Sequence, residues 1–164
     1  MDGSQLVVAL DTILLAQEAA AGVLLSALQA ESEALKKRDA ATLTLVTAEK
    51  VEAIEQLEAI EGRRRDLCAR IGAGPSSGDM EAWLAAFAGS GGQTLELRAR
   101  WASLSDLLCQ CREVSRENGL IVALLQRRVQ QGLRLIREKL PEPPASPSPD
   151  RELRHAPARA AVRA

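Results

Sequence analysis

DAATLTLVTAEKVEAIEQLEAIEGRRRDLCARIG, residues 39–72, decides the fold class. Leu43, Val46, Ala53, Leu57, Ile60, Leu67 and Ile71 recur at steps of three, four and seven residues, the spacing of one buried face of a helix. Asp39 is an N-cap type and Gly72 a C-terminal stop. Glu49, Glu52, Glu55, Glu58 and Glu61 lie mainly off the stripe, and Arg63, Arg64, Arg65 and Arg70 gather near the end. Acid before base suits the helix dipole. Arg63–Arg65 read as a solvated helix end, with binding of phosphate or acidic lipid the alternative, and Lys50 and Arg64, near the seam, as stems laid along apolar surface.

Upstream, Leu6, Leu10, Ile13, Leu14, Leu24, Leu28 and Leu35 mark a helix from about Ser4 to Lys37, narrowed in its middle by Ala19, Ala20, Ala21 and Gly22. The two segments fold back as an antiparallel hairpin with its corner at Lys36–Asp39. A continuous helix competes with that reading, because the corner has neither Gly nor Pro. Downstream, Gly72-Ala73-Gly74-Pro75-Ser76-Ser77-Gly78 breaks the chain. Asp79 caps a short helix, Met80 to Ala88, whose Met80, Trp83, Leu84 and Phe87 share a face and plug one end of a bundle. A long helix follows, from about Thr94 to Leu140. Its stripe is Leu97, Trp101, Leu104, Leu108, Cys111, Val122, Leu125, Val129 and Ile136, with Asn118-Gly119 a natural bend. At 1.5 Å per residue it runs roughly 70 Å against roughly 50 Å for the hairpin, so part of it projects or bends. Six of the seven prolines fall between Pro141 and Pro157, and 141–164 reads as a disordered Pro/Ala/Arg-rich tail.

The expected architecture is all-α: a long antiparallel three-helix bundle or coiled coil over 1–140, with one short extra helix and the tail 141–164. Composition agrees. The 164 residues hold three aromatics, Trp83, Phe87 and Trp101, too few for a large sheet. It also prunes function. The one histidine, His155, lies in the tail, so no paired-histidine metal site is available. No catalytic residue is proposed, and the glutamate runs read as solvated faces rather than an acid pair. The net charge of −1 is not that of a dedicated nucleic-acid binder. No run of 18 apolar residues predicts a membrane span, and no basic region or cleavage site predicts a signal peptide. Cys68, Cys109 and Cys111 form no disulfide framework and suit a reducing cytoplasm. The Cys109/Cys111 pair reads as packing, because residues two apart point to different sides of a helix. The glycine-rich loops lack the lysine of a phosphate cradle and read as hinges.

Asn118 lies on the core stripe, either as a register-fixing buried amide or as a place where a partner meets the helix. Leu120, Leu124 and Leu135 lie off the stripe and make the third helix apolar on two sides, which calls for a second interface: a partner helix, another copy, or the short Trp83/Phe87 helix.

Leu24-Leu28, Glu31-x-x-x-Leu35 and Asp39, then Leu43, Lys50, Leu57 and Arg64, then Trp101 through Glu117-Asn118-Gly119-Leu120-Ile121, stand in an order and spacing that resembles the FlgN family over about residues 5–140. The resemblance implies a cytoplasmic flagellar export chaperone without metal, ATP or other cofactor. Such a chaperone holds C-terminal helical segments of hook-associated proteins at the hook–filament junction, prevents premature assembly, and delivers them to the type III export gate and its ATPase complex. It has no nucleic-acid partner and no stable membrane insertion. FlgN-type chains commonly end in a Tyr- and Gly-containing segment; this chain has no Tyr, so gate contacts do not transfer to particular residues. Asn118, Gly119, Leu120, Leu124, Leu135 and Ile136 are the candidate client-binding residues, on the apolar surplus rather than on the resemblance. The alternative is a structural coiled-coil adaptor that self-associates, with homodimerisation open.

Overall fold

A computed structural model describes residues 3–74, 76–86 and 92–139. Four helices follow in order: α1 (Gly3–Lys37), α2 (Ala40–Ile71), α3 (Ser77–Ala86) and α4 (Gly92–Lys139). The chain forms two compact units, Met1–Gln126 and Arg127–Ala164, which divide within α4. Phe87, Leu140 and the tail lie outside the described residues.

In the first unit α1 and α2 form the antiparallel hairpin, since Gln17 meets Glu61 while Glu31 meets Lys50. The corner is closed by backbone geometry. Asp39 N–H donates to Ala34 O at 3.0 Å and Arg38 N–H to Leu35 O at 3.2 Å, the two bonds of a Schellman ending. Arg38 takes the left-handed conformation there, with φ 56°. This is why a corner without glycine still turns: two satisfied carbonyls offset a cost of about 1–2 kcal/mol for a side-chain-bearing residue. Asp39 then caps α2, its carboxylate accepting from the Thr42 N–H at 3.1 Å and the Thr42 hydroxyl at 2.7 Å. At the other end Gly72, φ 71°, makes the expected left-handed stop.

α4 runs parallel to α1 and antiparallel to α2. Arg100 binds Asp11 and Glu18, Cys111 Sγ lies 3.6 Å from Ala21 O, and Asn118 reaches Leu28 O. The close approach at Ala21 is what the small-residue stretch of α1 permits. One core joins Leu10 and Leu14 of α1, Leu67 and Cys68 of α2, Met80 and Leu84 of α3, and Leu97, Trp101 and Leu104 of α4. α3 therefore seals the end of the unit, with Trp83 packed against the same core. Its cap differs from expectation. Ser76, not Asp79, is the N-cap: Asp79 N–H donates to Ser76 Oγ at 3.1 Å, and Ser76 N–H donates to Asp79 Oδ2 at 3.1 Å. That reciprocal pair is a capping box with aspartate in the third helical position.

One further expectation needs context and another needs correction. α1 has a mean hydropathy of 1.6 over its most apolar 18-residue window, enough by length and composition to cross a membrane. Here Leu10, Leu14 and Ala21 of that helix are enclosed in the bundle. The stripe of α4 also stops short: Asn118 is its last buried residue, and Val122, Val129 and Ile136 are exposed. In the first unit the reason is the hairpin itself. Asn118 already stands beside Leu28 and Glu31, and α1 ends at Lys37. In the second unit, every described residue except Gly132 is exposed, as a single helix has no core of its own. α4 is helical through Asn118-Gly119. A Cβ on Gly119 would meet nothing within 4 Å, so no close approach demands that glycine.

Candidate functional site

Two buried polar clasps set the register of the first unit. Near the α3 end, Gln17 Nε2 donates to Glu61 Oε2 at 2.7 Å. Arg64 donates to both oxygens of the same carboxylate, at 2.8 and 2.6 Å. The Arg64 guanidinium carbon lies 5.4 Å from the centre of the Trp101 ring, and Nη1 lies 3.6 Å from Cys68 Sγ. Arg64 is thus buried whole, more than the half-embedded stem its position suggested, while Arg63 and Arg65 stay exposed. Burial works against the Glu61 charge, but hydrogen bonds from Arg64 and Gln17, with the Arg64 charge, outweigh it and hold this carboxyl below its ordinary range. The same pair raises Arg64 further. Burial pushes the thiols of Cys68 and Cys111 up, so both stay protonated and act as packing atoms. Cys109 is exposed.

In the second clasp, Glu31 of α1 takes Lys50 of α2 on one oxygen and Asn118 Nδ2 of α4, at 3.0 Å, on the other. Asn118 Nδ2 also donates to Leu28 O at 2.9 Å. With 3% of its surface exposed, Asn118 is the register-fixing amide. Its neighbour Gly119 is exposed, one position further along the helix.

The remaining candidate residues are on the surface. In the first unit Leu120 and Leu124, one helical turn apart, are 56% and 60% exposed. In the second unit Leu135 and Ile136 are 58% and 57% exposed. The short α3 helix does not account for the exposure pattern of Leu120 and Leu124. Its Met80 and Leu84 pack on Leu97, Trp101 and Leu104 instead. Their four-residue step puts Leu120 and Leu124 on one face of α4.

A second feature was not read from the sequence. Leu24 and Leu28 of α1, Ile54 of α2 and Cys111 of α4 line an open groove of about 640 Å³, together with Lys50, Arg112 and Arg116. The available signal was Ile54, an apolar residue off the α2 stripe beside the small Ala53. Among the described residues no cluster of three or more His, Cys, Asp or Glu side chains is placed to hold a metal ion.

A family model described as FlgN protein matches residues 1–142 of the chain. No curated protein and no solved structure matches.

Proposed function

The chain belongs to the FlgN family, a family of flagellar export chaperones rather than enzymes, and from that premise we propose that it binds the C-terminal helical segments of hook-associated proteins in the cytoplasm and delivers them to the type III export gate. The observation that carries this reading is the exposed Leu120/Leu124 pair, with Leu135 and Ile136 exposed in the second unit. A segment that later packs into a polymer is apolar and uncovered before assembly. A chaperone helix with unpartnered leucines supplies the missing neighbour, and the contact is lost again on handover. No bond is made or broken, so no cofactor is required.

Titration calorimetry against purified C-terminal segments of the same organism's hook-associated proteins tests the proposal. Saturable binding with a negative heat-capacity change, abolished by Leu120→Asp with Leu124→Asp while circular dichroism is unchanged, supports both function and site. Binding that survives the double variant removes the site. No binding to any segment removes the client assignment. The self-associating adaptor uses the same leucines, but pairing two copies along Arg127–Lys139 brings together five cations from each and only Glu138 in return. Light scattering showing a concentration-dependent dimer, lost in the same variant, would favour it.

A further inference from the structure

The described residues of the second unit, Arg127–Lys139, carry a charge and face pattern of which the chaperone reading uses only Leu135 and Ile136. Val129, Leu133 and Ile136 fall at i, i+4 and i+7 and share one helix face with Gly132. All three side chains are exposed, by 62%, 49% and 57%. Arg128 and Lys139 border that face on one side and Arg137 on the other, while Arg127 and Arg134 occupy the back of the helix. Five of the thirteen residues are therefore cations and one, Glu138, is acidic, in a chain whose net charge is −1. None of the five is ion-paired with another described residue.

The charge pattern and the shape select an occupant. A second copy is disfavoured, since it brings the same five cations. A client helix held at Leu135 and Ile136 does not by itself use the cations on both edges of the Val129/Leu133/Ile136 stripe. An apolar stripe edged by long cationic side chains suits a flat anionic surface. The stripe enters the headgroup–acyl boundary, and the arginine and lysine stems lie along it with their charges reaching back to the phosphates. We propose that Arg127–Lys139 adsorbs in the plane of an anionic lipid bilayer, with Val129, Leu133 and Ile136 as the inserted face and Arg128, Arg137 and Lys139 as its phosphate-binding edges. The protein is then a peripheral membrane binder as well as a chaperone, and the adsorption does not depend on any client.

Co-sedimentation of the full chain with phosphatidylcholine vesicles, with and without about one part in three of phosphatidylglycerol, tests this. The expected result is binding to the anionic vesicles alone, weakened by salt. Each neutralised cation should weaken binding about fivefold, so Arg128→Gln with Arg137→Gln costs about twenty-five-fold. Leu133→Asp with Ile136→Asp should abolish binding. These side chains are exposed, so the helices should persist, which circular dichroism checks. Glutamine at Arg151, Arg154, Arg159 and Arg163 leaves binding in place if the helix is the site. Absent binding, equal binding to neutral vesicles, indifference to the Leu133/Ile136 variant, or loss with the tail variant each overturns the proposal. Vesicles left unbound while an acidic client segment binds through these residues also overturn it, and make the face a protein surface only. Loss of client binding with lipid binding intact would break the chaperone reading and leave this one standing.

Discussion

Residues 94–118 and 119–139 of α4 are built from similar residue types and live in different surroundings. The first stretch places Leu97, Trp101, Leu104 and Cys111 among side chains of the three other helices and ends in the buried amide of Asn118. The second has Leu, Ile and Val in comparable number, and none of them is buried. Helical periodicity records which residues share a face, but not whether that face has a neighbour. Burial of the first stretch is a stability device. Exposure of the second leaves its apolar side chains in solvent.

The comparison can be broken at its strongest point first. Trp101→Ala removes a buried ring that packs on the core and stacks on Arg64, and should cost about 3–5 kcal/mol in denaturant unfolding. A loss within the range of a surface substitution, about 0.5 kcal/mol, would erase the distinction between the two stretches. Asn118→Ala leaves Glu31 and Leu28 O short of a donor, and should cost about 1–3 kcal/mol by the same measurement. Glu61 sharpens the comparison through pH. Its carboxyl is held below the ordinary value of 4.5, so its contribution is present above that value and fades as pH falls through the folded-state value. Thermal unfolding of Glu61→Gln should therefore lack part of the acid-side loss seen in the parent chain; an unchanged acid limb would remove Glu61 from the register-setting clasp. Smallest is Gly119→Ala. The position is exposed, helical and open, so the substitution should raise stability by about 0.5–1 kcal/mol. A destabilised variant would show that the helix needs freedom there.

Much of the fold was legible because its signals are local. Asp39 and Gly72 bound α2 through caps made by residues within a few positions, and the stripes of α1 and α2 were sufficient to pair them. The Arg38 turn was not legible, since a left-handed residue with a side chain has no compositional mark. Ser76 and Asp79 exchanged roles because both are cap types and only the hydrogen bonds decide. Burial of the Arg64 head depends on Gln17 and Trp101, far away in sequence. The residues that carried the family resemblance do meet in space: Glu31, Lys50 and Asn118 form one clasp, and Arg64 and Trp101 belong to the other. For the surface, sequence gave the apolar surplus of Leu120, Leu124 and Leu135 but not its extent. Val122 looks like a core residue until the end of the hairpin is located, and Val129 and Ile136 do so until the described part of the second unit is seen to be one helix.

The placement of the indoles has an optical consequence. Trp83 and Trp101, the two tryptophans of the chain, both pack at the end sealed by α3. Leu120 is nineteen residues further along α4 than Trp101, roughly 28 Å at 1.5 Å per residue. Intrinsic fluorescence therefore reads the melting of the sealed end and stays dark to a ligand arriving at the exposed leucines, so a single sample can report folding by emission while an independent label on Cys109 is read for binding.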